Sequence, residues 1–474
     1  MPLYTCDYSG CKRPAVRGRA FVLCNRHICA THLESEEHHK CPLAAVIPSR
    51  HRLFRRITSI GRKKARELRG KRWQPLQARA SALRGGIACV IPADACSAEV
   101  LQNRMGGQNY HIEVSFTDGI SWLCRVQRQN AESPPLEIPN RVLLSEAATL
   151  QFLSTTSVSV PKVYDVLPQG PGNEVGAGYM LVEKIDGHPL DWYSLDDAGK
   201  RKVLKQFATI QAELAKHPLP AIGCLKQPGS VQIGPLVHER TATKSESGEL
   251  ILLGPFKSAL DMYTAFAKRQ IENILNEELY VDNPTTPLLV YRYLLDIMPA
   301  ILPKRPGGNG EFYVKHMDDK GDHIFVDESL NIVSIIDWEW AQTMPKELAF
   351  CAPLFLLGVG EFYGGNNNLS PDEALLISAL ETSRSEDLAI CVRNGRIYHR
   401  LVFCLEENVE NEETYAPLVC GLRKMIGLSE HDNPSDWAAW KKKAELTYAH
   451  DRDFRALQRH LEKSGRRRTG TIDS

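Results

Sequence analysis

The pattern of apolar positions divides most of the chain into a strand-rich part and a helix-rich part. Short β-like runs occur at Tyr110–Phe116, Ile120–Gln127 and Gly178–Glu183. Longer helical patterns then dominate, at Asp196–Lys216, Lys257–Leu279 and Thr286–Leu302, with several more after Pro371. A β-rich segment of about 100 residues followed by a helix-rich segment of about 250 predicts an α+β fold with two lobes, rather than alternating βαβ units.

Changes in composition predict five segments. They are a Cys- and His-rich region (1–45), a basic helical connector (46–84), a β-rich lobe (85–184), a helix-rich lobe (185–448) and a basic tail (449–474). The 474 residues suit two or three domains, at roughly 100–200 residues each. A content of 43% hydrophobic and 24% charged residues is typical of globular proteins and excludes a fully disordered or fibrous chain.

Membrane insertion and secretion are not predicted. The longest clearly apolar, charge-free run, Leu348–Gly360, has 13 residues, whereas a membrane-spanning helix needs about 18 or more. The first residues lack the charged-then-apolar pattern of a secretion signal. We therefore expect an intracellular protein, located in the cytoplasm or in the nucleus.

The formal net charge of +1 conceals a strongly basic stretch. Arg50–Arg72 contains 11 Lys or Arg and one acid, Glu67. Such a run is typical of nucleic-acid binding, of a nuclear import signal or of an anionic membrane surface. Apolar residues near helical spacing, Leu53 to Ile60, also fit a solvated linker helix that docks on the next domain, and we favour this interpretation because charge runs are usually solvated.

Cysteine and histidine are concentrated near the start of the chain, where five of the 13 cysteines lie within the first 41 residues. An odd total without an export signal argues against a disulfide framework and favours metal ligation. Eight positions make two sets of four, as tetrahedral zinc requires: Cys6, Cys11, Cys24, His27, Cys29, His32, His39 and Cys41. The alternative is a set of ordinary reduced cysteines and histidines.

The spacing of these eight residues resembles the two-zinc cross-brace finger of the stress-associated protein class. The resemblance implies two structural zinc ions, because every ligand position is filled by protein. One site would use Cys6, Cys11, Cys29 and His32. The other would use Cys24, His27, His39 and Cys41, although a histidine at the fourth ligand position departs from the class.

The decisive chemistry lies in the segment FYVKHMDDKGDHIFVDESLNIVSIIDWEWA, residues 312–341. Phosphoryl transfer requires a carboxylate near the acceptor hydroxyl, a second on the metal that bridges the phosphates, and a further metal ligand. Asp318 and Asp337 are joined by a predicted hairpin, Ile324–Asp327 and Ile332–Ile336, whose turn is rich in turn-forming residues. The two acids could therefore converge on one site.

This segment, together with upstream elements, resembles the aminoglycoside phosphotransferase/choline kinase-like family, most closely its fungal members, over roughly residues 85–448. The resemblance implies a bilobal protein-kinase-like fold, ATP and Mg²⁺. It implies His316 as a structural brace, Asp318 as the catalytic carboxylate and Asp337 as a magnesium ligand. The family's asparagine ligand falls on His323, whose imidazole suits softer ions than Mg²⁺, so the adjacent Asp322 is a further candidate.

In the first lobe the same resemblance implies a nucleotide site. Gly106 and Gly107 precede a strand at the position of the family's nucleotide loop. Arg125 stands where the family carries its phosphate-pairing cation, and Glu146 where it carries the acid that pairs with this cation. The segment Tyr179–Lys184, with Glu183, matches the hinge between the lobes. Without the resemblance, a hairpin turn and a surface ion pair explain these residues equally well.

Two functions of different classes fit the sequence. The first is an ATP-dependent phosphotransferase that acts on a hydroxyl of a small molecule and carries a zinc-binding N-terminal module. The second is a catalytically inactive kinase-like protein whose finger and basic connector recruit a protein or nucleic-acid partner. His323 distinguishes them, because loss of one metal ligand weakens charge stabilisation during phosphoryl transfer. A DNA-binding regulator would rest on the basic run alone.

Overall fold

The computed structural model describes residues 1–8, 10–18, 26–33, 73–92, 108–128, 133–302, 311–428 and 436–463. The basic stretch Arg50–Arg72 lies outside these described residues. Within them, no helix is both long enough and apolar enough to cross a membrane.

The chain begins with a small module made of the described residues 1–8, 10–18 and 26–33, which we call the N-terminal module. It contains one short helix, α1 (Ala30–Leu33), and an isolated bridge between Thr5 and Pro14. Its apolar residues Leu3 and Ala15 are buried against side chains of both lobes. The module is therefore docked on the rest of the protein.

The first lobe is built on an antiparallel five-stranded sheet. After α2 (Trp73–Leu83), its strands are β1 (Cys89–Val90), β2 (Asn109–Phe116), β3 (Ser121–Gln127), β4 (Val163–Leu167) and β5 (Tyr179–Glu183), in the order β1-β2-β3-β5-β4. The three predicted strands are confirmed within one residue. Alternating side chains such as Ile112 and Val114 on β2 and Trp122 on β3 enter one core, as period-two patterning requires.

Helix α3 (Glu137–Leu153) crosses the sheet between β3 and β4 in sequence. Its apolar residues Leu143, Ala147 and Leu150 pack with Met180 of β5 in a second core. Because this core also contains Val314 and Trp338 from the second lobe, the helix joins the two lobes as well as completing the first.

The second lobe is largely helical. Its helices are α4 (Asp197–Leu214), α5 (Ala259–Leu275), α6 (Thr285–Ile301), α7 (Lys346–Ala349), α8 (Val359–Tyr363), α9 (Pro371–Thr382), α10 (Glu386–Asn394), α11 (Arg396–Glu406), α12 (Glu412–Met425), α13 (Trp437–Thr447) and α14 (Arg452–Lys463). The predicted helix Asp196–Lys216 begins one residue later, because Asp196 is its N-cap and accepts a hydrogen bond from the Gly199 amide at 2.8 Å. Ser258 caps α5 in the same way.

The helical packing continues beyond the predicted boundary at residue 448. Helix α14 buries Phe454 and Leu457 in the main core of the second lobe. Its apolar stripe, and not the charge of the surrounding residues, decides its position. The segment predicted as a basic tail from residue 449 therefore starts with a packed helix.

Short strands complete the second lobe, and two sets of them carry the acidic segment. These strands are β6 (His188–Pro189), β7 (Cys224–Leu225), β8 (Ile233–Gly234), β9 (Thr243–Lys244), β10 (Leu250–Ile251), β11 (Phe312–Lys315), β12 (Ile324–Val326), β13 (Ile332–Ile335) and β14 (Gln342–Pro345). Strand β11 pairs with β14, and β12 lies between β13 and β6. The predicted hairpin is confirmed as β12–β13.

Candidate functional site

The β12–β13 hairpin aligns the ends of the acidic segment. Its register pairs Ile324 with Ile335, and the Ile336 amide donates to the carbonyl oxygen of His323 at 2.9 Å. The antiparallel ladder thus extends one pair beyond the strands. Asp322 and Asp337 are the next residues along the chain beyond this pair.

Lys320 lies next to the predicted catalytic carboxylate, Asp318. Its ammonium lies 3.0 Å from Oδ2 of Asp318. The hydrogen bond that Lys320 donates to Asp318, together with the negative charges of Asp318, Asp322 and Asp337, raises the pKa of Lys320. Asp318 is therefore in contact with Lys320, whereas Asp322 and Asp337 act on it as nearby charges. Sequence reasoning missed Lys320, although its position two residues after Asp318 was a usable signal.

His316 contacts the backbone and the side chain on either side of Asp337. Its Nε2 lies 2.9 Å from the carbonyl oxygen of Ile336, and its ring lies 4.8 Å from that of Trp338, in edge-to-face geometry. Burial lowers the pKa of His316, so the ring is neutral and Nε2 donates to the carbonyl. These contacts fit the role of structural brace that was predicted for His316.

His323, predicted as a further magnesium ligand, is buried beside the acidic loop. Its Nδ1 accepts a hydrogen bond from the Gly321 amide at 3.2 Å. Burial lowers the pKa of His323 to about 2, so the ring is neutral and its proton resides on Nε2. In this arrangement Nδ1 accepts a hydrogen bond and Nε2 carries the proton. That His323 ligates magnesium stays a prediction, as does the same role for the adjacent Asp322, which is exposed.

Arg125 of β3 joins the two lobes through carboxylates. It forms an ion pair with Glu146 of α3, and its Nη2 lies 3.0 Å from Oδ1 of Asp337 and 3.6 Å from Oε2 of Glu339. The side chains of Arg125 and Glu146 are only 11% and 2% exposed. The alternative of a solvent-exposed surface pair is therefore wrong.

The environment of Arg125 carries more negative than positive charge. Burial alone would lower its pKa, but the charges of Glu146, Asp337 and Glu339 outweigh burial and raise it. Burial is the main cause that raises the pKa of Glu339 to about 8, and repulsion from Glu146 is the second cause. One guanidinium thus faces three carboxyl groups, an arrangement that favours the binding of a further cation.

Asp337 has an unusual backbone conformation. Its φ of 62° and ψ of 49° lie in the left-handed region, which aspartate adopts more readily than most residues. The chain leaves β13 there and enters the 3₁₀ turn Trp338–Trp340. Residues held in sparsely populated backbone regions cluster at functional sites. The turn leaves the Asp337 side chain 49% exposed beside Arg125.

The other residues of the predicted nucleotide site are Gly106, Gly107 and Glu183. Gly106 and Gly107 lie outside the described residues. Glu183 is exposed at the end of β5, where its Oε2 accepts a hydrogen bond from the Lys162 amide at 3.2 Å. This bond ties the end of β5 to the chain just before β4.

A cavity of about 350 Å³ opens beside Asp318. Its lining combines carboxylates with aromatic and apolar side chains, including Asp318, Glu339, Glu406, Trp340, Phe266 and Met317. A second cavity of about 290 Å³ shares Met317, Tyr263 and Glu406 with the first. Trp340 is 37% exposed and lines the first cavity. A small molecule bound there would lie next to Asp318.

The N-terminal module brings together the first predicted set of zinc ligands. One ligand atom each from Cys6, Cys11, Cys29 and His32 lies within 4.8 Å of every other. Nδ1 of His32 is 3.3 Å from Sγ of Cys6 and 3.4 Å from Sγ of Cys29, and the sulfurs of Cys11 and Cys29 are 4.0 Å apart. Zn–S bonds of about 2.3 Å and Zn–N bonds of about 2.0 Å in a tetrahedron give ligand separations of roughly 3.5–3.8 Å. The donor set and spacing therefore fit zinc.

The second predicted set falls mainly outside the described residues, since these exclude Cys24, His39 and Cys41. His27 is described, and its ring stacks on Tyr4 at 4.1 Å. Its buried Nδ1 has no hydrogen-bond partner among the described residues. That orphaned nitrogen is compatible with the predicted role as a ligand.

Comparison with known proteins gives relatives at low identity. The chain is 23% identical over 268 residues to subtelomeric hrmA-associated cluster proteins of two Aspergillus fumigatus strains, over 44% of this chain and 52% of each relative. The chain thus spans about half the length of these curated relatives.

Solved structures that match this chain include the gentamicin complex of APH(2")-IIa, at 12% identity and a TM-score of 0.41, over 75% of this chain and 96% of that one. Another is macrolide 2'-phosphotransferase MphH from Brachybacterium faecium, at 14% identity and a TM-score of 0.38, over 72% and 96%. The family model described as "Phosphotransferase enzyme family" matches residues 100–345, just over half of the chain. The chain belongs to the phosphotransferase enzyme family.

Proposed function

We propose that the protein transfers the γ-phosphate of ATP to a hydroxyl group of a small molecule. The observation that carries this proposal is that Asp318 and Glu339 line one cavity, with Lys320 3.0 Å from Asp318 and Arg125 3.0 Å from Asp337. Phosphoryl transfer depends on positioning and charge neutralisation, and this arrangement supplies carboxylates, a cation and space for an acceptor in one place.

Asp318 is proposed to orient the acceptor and take its proton. The acceptor oxygen forms a bond to the γ-phosphorus, the bond from that phosphorus to the β–γ bridging oxygen breaks, and the hydroxyl proton moves to the Asp318 carboxylate. ADP leaves with the bridging oxygen. Lys320, 3.0 Å from Asp318, is placed to neutralise charge on the transferred group.

Asp337 and Asp322 are proposed to hold Mg²⁺, because carboxylate oxygens are the ligands that this hard cation prefers. When bound, the ion would neutralise charge on the phosphates. Arg125, fixed by Glu146, would face the phosphates from the first lobe. Gly106 and Gly107 remain predicted contacts to the nucleotide, and the segment containing Glu183 remains the predicted interlobe hinge.

The N-terminal module is proposed to hold structural zinc at Cys6, Cys11, Cys29 and His32. All four positions are filled by protein, which is typical of a structural site. A second zinc at Cys24, His27, His39 and Cys41 remains a prediction. We therefore expect about two zinc ions per chain by elemental analysis, and well under one per chain would contradict the proposal.

The proposed activity is tested by nucleotide binding to the purified protein, with and without Mg²⁺ or Mn²⁺. We expect calorimetry to detect ATP binding that depends on the divalent ion and that weakens in Asp337→Asn. Phosphate transfer is then followed as ADP release with a panel of hydroxyl-bearing small molecules. Metal-dependent ATP binding without turnover on any acceptor would favour the inactive alternative, and the absence of ATP binding would contradict the proposal.

A further inference from the structure

The N-terminal module contacts both lobes at once, and its contact with the first lobe falls on α3. Leu3, Tyr4 and Ala15 form one buried cluster with Ile138 and Val142 of that helix. The same cluster includes Ala242, from the second lobe. The module therefore lies across the junction at which α3 meets the helical lobe.

On the side of the helical lobe the module is fixed by buried polar contacts. A nitrogen of the Arg17 guanidinium lies 2.7 Å from Oε2 of Glu278, with side chains 5% and 2% exposed. Arg17 also donates to the carbonyl oxygen of Glu239 at 2.9 Å. The Tyr4 hydroxyl donates to Oε1 of Glu239 at 2.6 Å. Such paired, hydrogen-bonded charges define one docking orientation, because any other orientation leaves them unpaired.

The docked face of α3 continues into the candidate nucleotide site. Ile138, Val142 and Glu146 follow one another at intervals of four residues, so they lie on one face of the helix, a turn apart. Glu146 is the ion-pair partner of Arg125. A shift of α3 at the turn that contacts the module therefore displaces Glu146 relative to Arg125.

Backbone hydrogen bonds connect the parts of the module that dock with the segments that carry the candidate metal ligands. The Cys6 amide donates to the Arg13 carbonyl oxygen at 2.9 Å, and the Val16 amide donates to that of Ile28 at 3.0 Å. The docking residues Leu3 and Arg17 flank these two connections. A module of this size cannot bury enough apolar surface to hold its shape alone, so its shape depends on the metal.

We infer that metal binding by Cys6, Cys11, Cys29 and His32 positions α3, and through it Glu146, relative to Arg125. The positioning of α3 rests on the proposed zinc site, and the consequence for nucleotide binding rests on the proposed ATP site. Glu146 is here a positioning residue, which acts on phosphate through Arg125.

The test is hydrogen–deuterium exchange of the full protein, zinc-loaded and after zinc removal by a strong chelator. We expect amide exchange in α3 to increase on the order of tenfold on zinc removal. Helix α9 of the second lobe, which packs against α4 and α10, should exchange at an unchanged rate. The dissociation constant for ATP with Mg²⁺ should rise about tenfold, as expected for coupled sites.

Three variants separate the metal from the docking contact. Cys29→Ser should lose zinc and increase α3 exchange. Leu3→Ala should keep its zinc and still increase α3 exchange, because it removes an apolar contact and no ligand. Cys420→Ser, a cysteine outside the cluster, is the matched control and should behave as wild type.

The outcomes are distinguishable. Unchanged α3 exchange after verified zinc loss, or in Leu3→Ala, would overturn the inference. An increase confined to α3 with no ATP binding to the zinc-loaded protein would support the inference and contradict the proposed function instead.

Discussion

The N-terminal cysteine–histidine cluster and the carboxylate centre of the second lobe differ in ligand type and in access. The cluster draws four soft ligands from Cys6–His32, and Cys6 and Cys29 are buried at 5% and 1% exposure. The carboxylate centre offers hard oxygens, with Asp337 half exposed and Asp318 on a cavity. A site saturated by protein stabilises structure, whereas a site with open positions can admit substrate.

The two centres also differ in how they are supported. The cluster is formed within a short stretch of chain, so its ligands need little from the rest of the fold. The carboxylate centre depends on β11, the β12–β13 hairpin and Arg125 from the other lobe. We therefore expect substitutions in the two centres to have separable effects on metal content, turnover and stability.

The largest expected effect comes from the carboxylates. Asp318→Asn should lower turnover by about 10³-fold, because the acceptor hydroxyl loses the group that takes its proton. ATP binding and zinc content should remain near wild type, since the change removes no ligand of either metal. Steady-state kinetics, calorimetry and elemental analysis on one preparation check this.

Cys29→Ser should have the opposite effect. Zinc should be lost, and turnover should fall only because ATP binds more weakly. Equal loss of turnover in both variants would remove the distinction between a structural and a catalytic centre. Turnover that survives both Asp318→Asn and Asp337→Asn would locate the chemistry elsewhere.

The next effect is on stability, at the docking contact of the N-terminal module. Arg17→Met should lower the free energy of unfolding by about 3–5 kcal/mol, because it leaves Glu278 buried and unpaired. The double variant Arg17→Met with Glu278→Leu should recover most of this loss, since no unpaired charge remains. Urea titrations of the single and double variants measure both values, and equal destabilisation of the two would contradict the explanation.

The pH dependence of stability reports on the second lobe, which carries the carboxylate centre, and its measurement changes no residue of either candidate metal site. Burial, aided by the positive charge of Lys315, lowers the pKa of His399 from 6.5 to about 4. As the pH falls through this range, the His399 imidazole binds a proton in the unfolded chain but not in the folded chain. Stability contributed by the neutral ring is therefore complete above pH 6.5 and declines towards pH 4, by on the order of 3 kcal/mol.

The measurement is thermal unfolding between pH 7 and pH 4 for wild type and His399→Gln, which should show a smaller decline. His460→Gln, on the exposed end of α14, is the matched control and should follow wild type. A parallel decline in all three proteins would assign the acid sensitivity to other groups.

The smallest expected effect concerns the cation that Asp318 contacts. Lys320→Ala should lower kcat about tenfold, because one of several groups that neutralise the transferred phosphate is lost. Zinc content and stability should not change, since the Lys320 side chain is 59% exposed. Lys184→Ala, which removes an exposed ammonium paired with Glu113 in the first lobe, is the control. Equal kcat values in both variants would exclude Lys320 from the site.

Much of this protein is determined by local sequence. The strands β2, β3 and β5 and the helices α4, α5 and α6 follow directly from apolar periodicity, which reports one buried face. The β12–β13 hairpin follows from its turn, in which Asp327 Oδ1 accepts from the Ser329 and Asn331 amides at 2.9 and 2.8 Å. The spacing of Cys6, Cys11, Cys29 and His32 likewise identified a set of residues that the structure brings together.

Other features depend on contacts that no local pattern encodes. Arg17 and Glu278 are 261 positions apart in sequence and meet only because the module docks on the helical lobe. The neutral His323, bonded to Gly321, and Trp340, turned into the cavity, result from the packing of the acidic loop. Arg125 faces Glu146, Asp337 and Glu339 because the two lobes close on one another. Periodicity specifies which face of a helix or strand is buried. The tertiary fold decides which partners a buried charge has, because leaving that charge unpaired costs free energy only once the fold has buried it.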